Sequence, residues 1–142
     1  MEPNKCRVLL VDDHVPRRIA LRNALARYAD IQIVGEACDG KQAVEQVRAC
    51  QPDVILMDIH MPRMNGIEAA SAIKGSSQDV AIIGLCAVQD LHATDEFLKA
   101  GALAVVLKDR VEDLHSTLQR ACYRSRPPAK LKDPRLSKEQ RL

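Results

Sequence analysis

The chain has 142 residues, a formal net charge of +2 and 46% hydrophobic residues, with two Tyr, one Phe and no Trp among them. That length suits one domain with an aliphatic core. No run comes near the roughly 18 apolar residues a membrane span needs, and MEPNKCRVLL is too weakly apolar for a signal peptide. The five cysteines show neither a CxxC pair nor zinc-type Cys/His spacing, so they read as reduced thiols used as small hydrophobes in a cytoplasmic protein.

In chain order, the first apolar run is RVLLV (7–11), and it ends in Asp12 and Asp13. A helical segment follows. Pro16 stands where a first turn tolerates proline, and Leu21, Ala24, Leu25 and Tyr28 are spaced i, i+3, i+4, i+7. IQIVGEA (31–37) alternates more than the other runs, and Ala43, Val47 and Cys50 then mark a second helical stripe. DVILM (53–57) ends abruptly in Asp58, ahead of Pro62 and a Met-Asn-Gly turn. VAIIGLC (80–86) closes on Cys86 and Ala87. DLHATDEFLKA is the weakest helix, its Leu91 and Leu98 diluted by charge. ALAVVL (102–107) ends in Lys108, and Val111, Leu114, His115 and Leu118 set the last helical stripe.

Continuous apolar runs are what a parallel sheet covered on both faces requires. Five of them alternating with helical segments predict an α/β, three-layer fold with a five-stranded parallel sheet. Charge divides the chain differently. Residues 1–122 carry 14 Lys and Arg against 17 Asp and Glu, whereas residues 123–142 carry 7 against 2. A mildly acidic globular domain over 1–124 is therefore expected to lead into a basic, proline-containing linker over 125–142.

In open α/β sheets the functional crevice lies beyond the carboxyl ends of the strands. Asp12, Asp13, Asp58 and Lys108 all stand at such ends. Carboxylates gathered there would repel and be driven toward protonation unless compensated. A hard divalent cation such as Mg²⁺ meets that need, and it accepts one or two carboxylates, waters and a phosphate oxygen. A lysine opposite suits an anionic ligand. The set describes a phosphoryl-group site in which one aspartate can be the acceptor. Taken singly, each residue has a plainer reading: an aspartate after a strand caps the next helix, and a strand-end lysine is solvated. His14 and His60 flank the acidic edge as surface residues, and with His92 and His115 they form no ligand cluster by spacing.

Taken together, VLLVDDH, PDVILMDIHMPRMNGIEA, Ala87 and GALAVVLKD resemble the receiver domain of two-component response regulators, in order and from residue 5 to the neighbourhood of 122. The resemblance implies a flavodoxin-like (βα)5 fold, with Asp58 as acceptor of a phosphoryl group from a sensor histidine kinase. It implies Mg²⁺ held by Asp12, Asp13, Asp58 and the backbone carbonyl of His60, with Lys108 paired to the phosphoryl group. Pro62 and Gly66 would shape a loop that leaves Asp58 exposed, glycine by tolerating angles others do not. The DDH and LKD motifs and the tail DPRLSKEQRL resemble the branch with LuxR-type helix-turn-helix output, so 125–142 is expected to hold the truncated start of such a domain. DNA would then be bound only through an output domain absent from this chain. A homodimer is a further expectation, and a membrane is not.

Two positions depart from the family pattern. Cys86 stands where the family has Thr or Ser, and a thiol is a weaker donor to a phosphoryl oxygen. Val105 stands where the family usually has an aromatic residue that moves on phosphorylation. These departures leave open a phosphorylation-independent interaction module of the same fold. A true enzyme is disfavoured. A dehalogenase-like phosphatase would want an acid where His60 stands, and DDHVPRR is wrong for cradling a flavin phosphate. The expected chemistry is that of a phosphoacceptor acting on itself, with intrinsic autophosphorylation and autodephosphorylation, rather than of an enzyme.

Overall fold

A computed structural model describes residues 5–61, 66–76, 79–86 and 91–125. Five strands alternate with five helices: β1 (Cys6–Val11), α1 (Val15–Ala26), β2 (Ile31–Ala37), α2 (Gly40–Cys50), β3 (Val54–Asp58), α3 (Gly66–Ser76), β4 (Ala81–Cys86), α4 (Leu91–Lys99), β5 (Ala104–Leu107) and α5 (Val111–Ser125). All strand pairs are parallel, in the order β2-β1-β3-β4-β5. This is the flavodoxin-like receiver architecture expected from the sequence. The order reverses between β1 and β3, which opens a crevice at their carboxyl ends. No described helix is long and apolar enough to cross a membrane.

Although the strands look uniformly apolar, their period of two divides them between two cores. Leu9, Val11, Ile55, Met57, Ile82 and Cys86 join the buried side chains of α2, α3 and α4. Val8, Leu10, Val54, Leu56, Ile83, Leu85 and Val106 join Leu21 and Leu25 of α1 and Leu114, Leu118 and Ala121 of α5. The sheet is thus covered on both faces, giving the three layers expected. The helix α5 runs through Ser125, across the expected boundary at 124, and the linker and helix-turn-helix start expected over 126–142 lie outside the described residues, as do Pro62 and Ala87.

The helix with the weakest sequence pattern takes its rotation from a neighbouring strand. In α4 the leucines face outward, Leu91 at 72% exposure and Leu98 at 41%, while Ala93 and Phe97 are buried. The reason lies in β4. A Cβ on Gly84 would sit 2.5 Å from Phe97 Cε2, so the glycine opens the slot that the phenyl ring fills. The i, i+4 pair Ala93 and Phe97 then determines the rotation of the helix.

At Gly66 the structure shows a constraint of space. A Cβ there would lie 2.7 Å from the Asp58 carbonyl oxygen and 2.8 Å from Ile59 Cα. The start of α3 packs directly on the backbone that carries Asp58, and the Gly66 N–H donates to the Ile59 carbonyl at 2.9 Å. Phe97 is fully buried, and Phe97→Ala is expected to cost about 3–5 kcal/mol in denaturant unfolding. A loss below about 1 kcal/mol would mean the slot beside Gly84 collapses around the smaller side chain.

Candidate functional site

The side chains that meet at the carboxyl edge do so through strand parity. Asp12 continues the Val8, Leu10 series of β1, Asp58 ends the Val54, Leu56 series of β3, and Lys108 follows Val106 of β5. All three series belong to the face covered by α1 and α5. Backbone hydrogen bonds place the edge: Asp12 N–H donates to Ala37 at 3.0 Å, and Lys108 N–H to Cys86 at 2.8 Å.

Carboxylate oxygens of Asp12, Asp13 and Asp58 lie within 4.8 Å of one another. Asp12 and Asp58 are buried, and Asp13 is exposed. Asp58 Oδ1 accepts from the His60 N–H at 3.0 Å and from Lys108 Nζ at 3.2 Å. The expected group of Asp12, Asp13, Asp58 and Lys108 is therefore assembled. His60 itself is exposed, and its N–H rather than its ring touches the site. His14 caps α1, its Nδ1 accepting from the Arg17 N–H at 3.3 Å. At α1 the capping role considered for Asp12 and Asp13 belongs to this histidine instead.

Asp58 is not exposed, contrary to expectation. Only 2% of it reaches solvent, because Gly66 brings α3 against its backbone and Lys108 and Arg17 lie against its carboxylate. Burial pushes its pKa above the ordinary carboxylate value, and the Asp12 charge adds to that rise, while the His60 N–H and Lys108 pull it down without cancelling it. The pocket is short of positive charge. Three hard oxygen donors in such a pocket fit Mg²⁺.

Two arginines complete the site, and neither was singled out in the sequence. Arg17 Nη1 donates to both oxygens of Asp12, at 3.0 and 3.1 Å, and lies 3.5 Å from Asp58 Oδ2. Arg18 Nη1 donates to the Asp12 carbonyl at 2.6 Å, while its Nε binds Glu36 Oε1 at 2.9 Å. Glu36 also accepts from Arg22 Nε at 2.8 Å. Burial would raise the Glu36 pKa, but the two guanidiniums hold it below the ordinary value. A readable signal existed: the first turn of α1 holds no acid but begins a run of arginines, the reverse of what the helix dipole favours. Local violations of that kind mark functional positions.

Cys86 is buried in the apolar core shared with α2, α3 and α4, and Val105 is half-buried against the same core. The two departures from the family pattern thus share one face of the sheet. At the opposite edge Cys6, Cys122 and Asp53 also converge within 4.8 Å. There the Cys122 thiol faces Asp53 Oδ2 at 3.9 Å, and a hydrogen bond with Cys122, together with burial, pushes the Cys6 thiol up. That cluster packs α5 against the amino-terminal ends of β1 and β3. His115 is equally structural, stacked on Tyr28 with centroids 3.7 Å apart and bonded to Asp30 at 2.9 Å.

The family profile of the response regulator receiver domain matches residues 8–119. The transcriptional regulatory protein DegU of Brevibacillus brevis is 36% identical over 110 residues, 78% of this chain and 47% of its own length. A protein-glutamate methylesterase/protein-glutamine glutaminase of Methanosarcina acetivorans is 48% identical over 71 residues, 50% of this chain and 20% of its own. The chain thus spans less than half the length of either relative. The solved signal receiver domain of the response regulator NarL from Mycobacterium tuberculosis superposes with a TM-score of 0.77 at 34% identity, covering 84% of this chain and 98% of that one.

The Asp58 shift has a sign that can be measured. A folded-state pKa above the unfolded one means the folded chain binds the proton more tightly, so stability falls as pH rises from the ordinary carboxylate range through the raised value. In the metal-free protein Asp58→Asn is therefore expected to raise the unfolding midpoint at neutral pH. The gain should vanish below about pH 4, where an ordinary aspartate is protonated in both states. A neutral-pH loss of stability in urea unfolding would show that Lys108 and Arg17 already overcompensate the charge.

Proposed function

The chain belongs to the response-regulator receiver family, and from that premise we propose that Asp58 is the phosphoacceptor of a two-component signalling switch. The observation that carries this reading is the Asp58 carboxylate gathered with Asp12 and Asp13 and paired with Lys108 at 3.2 Å. The donor would be the phosphohistidine of a sensor histidine kinase. An Asp58 oxygen attacks phosphorus, the new O–P bond forms as the N–P bond breaks, and the electron pair returns to the imidazole nitrogen. Lys108 offsets charge on the phosphoryl oxygens, and the His60 N–H fixes the orientation of the acceptor. Asp12, Asp13, Asp58 and the His60 carbonyl would hold Mg²⁺, which when bound neutralises charge on the transferring group. The reaction modifies the protein itself, and hydrolysis of the acyl phosphate resets it, so the domain is a switch rather than an enzyme with a separate substrate.

The proposed setting is cytoplasmic transcription regulation. Support comes from the similarity to DegU, named a transcriptional regulatory protein, and from the tail DPRLSKEQRL, which resembles the beginning of a LuxR-type output domain. Under this reading DNA is contacted by the output domain, and the receiver controls conformation or homodimerisation. The methylesterase relative couples a similar receiver to a different output, so the tail is the discriminating feature. A second reading, an interaction module that works without phosphate, is favoured only by Cys86 and Val105.

Incubation with Mg²⁺ and acetyl phosphate is expected to add one phosphoryl group by intact mass, lost in Asp58→Asn and slowed in Lys108→Ala. Absence of any adduct would favour the second reading. Cys86→Thr restores a hydroxyl donor at the end of β4. It is expected to enlarge the phosphorylation-dependent change in dimerisation, measured by light scattering, because a ligand shifts an equilibrium only by its differential affinity for the two states. An unchanged response would mean the thiol already serves as well.

A further inference from the structure

The guanidinium of Arg17 occupies an unusual place for a side chain from a helix N-terminus. It holds both oxygens of Asp12 and reaches Asp58 Oδ2, while Lys108 takes Asp58 Oδ1. Both oxygens of the acceptor thus face a cation supplied by the chain. The two acids are almost fully buried, at 1% and 2%, whereas a third of the Arg17 side chain reaches solvent. The positive charge is therefore the partner with access to solvent, and the carboxylates are the enclosed ones.

We propose that Arg17 is a tethered counter-cation of this pocket, which a divalent ion must displace before Asp12, Asp13 and Asp58 can bind it together. The inference rests on the phosphoacceptor reading and adds to it a built-in competitor that sets the ion concentration at which the switch becomes competent. Three observations converge. The guanidinium contacts the two buried acids that would hold a metal ion. Two positive charges cannot share that space without repulsion in a water-poor site. Asp13 is exposed beside the buried pair, where it would be open to an ion from solvent, and the arginine, a third exposed, has solvent into which to withdraw.

The opposite role is also physically definite and predicts the opposite sign. If Arg17 were a strut that holds Asp12 in its binding rotamer, removing it would weaken metal binding. A competitor, once removed, leaves binding tighter. It also leaves the metal-free pocket with uncompensated carboxylates, so the unbound protein loses stability.

The test titrates Mg²⁺ alone into the unphosphorylated full chain by calorimetry, for wild type, Arg17→Gln and Arg17→Met, with Asp13→Asn as the metal-site control. Both neutral variants are expected to bind Mg²⁺ roughly tenfold more tightly than wild type, the lower end of what a charge-assisted hydrogen bond contributes. Both should melt below wild type in EDTA and gain more from saturating Mg²⁺. Equal or weaker binding in the neutral variants overturns the proposal, and acetyl phosphate labelling of Asp58 in the same samples then shows whether the phosphoacceptor reading survives it. Absence of Mg²⁺ binding and of labelling in every protein, wild type included, would sink both together.

Discussion

One charge organises the carboxyl edge of this sheet. Asp58 ends a strand whose five residues are all buried, so its carboxylate sits where water does not compensate it. An isolated carboxylate in that position would take up a proton. That tendency is opposed in part by a backbone N–H two residues on and by the lysine that follows β5, and an arginine from α1 lies beside the same carboxylate. These partners follow β3, follow β5 and open α1 respectively, and the parallel sheet order that sends the strand ends to one edge is what makes their meeting geometrically feasible. The close approach of Gly66 to the Asp58 backbone is part of the same arrangement, because it lets α3 start directly beneath the acid.

The two faces of the sheet carry different parts of the work. Charge gathers on the side of α1 and α5, at Asp12, Asp58 and Lys108, which end or continue the even-numbered series of β1, β3 and β5. Cys86 and Val105 lie on the other side, packed with α2, α3 and α4. Under the proposed function, a change of charge at Asp58 reaches that second face through the shared strand ends. What it meets there is a small thiol and an aliphatic side chain rather than a hydroxyl and an aromatic ring. Tight aliphatic packing has few alternative arrangements, so the transmitted change depends on how far Cys86 can follow the phosphoryl group.

Much of this was legible before any coordinates. Each apolar run corresponds to one strand, and RVLLV, IQIVGEA, DVILM, VAIIGLC and ALAVVL overlap β1 to β5 in order. Strand-end acids and lysine were legible too, because the topology of a parallel sheet sends all its carboxyl ends to one edge. The burial of Asp58 was not legible. A sequence shows where a strand stops, but not that α3 returns against it or that two cations cover it. Nor was the outward face of Leu91 and Leu98, since the charge-diluted pattern of α4 offered no dominant stripe and the slot at Gly84 belongs to another strand.

The sequence by itself determined the layer order, the parallel sheet and the set of acids at its edge. Those properties follow from periodicity along single elements and from where each apolar run ends. Only the tertiary structure decided which cation answers which carboxylate oxygen, how deeply Asp58 is buried and which side of α4 packs inward. Those outcomes depend on contacts between residues far apart in the chain, such as Arg17 with Asp58 and Gly84 with Phe97. Local pattern carries no information about distances of that kind, because they are set by how helices cross the sheet rather than by what any one helix prefers.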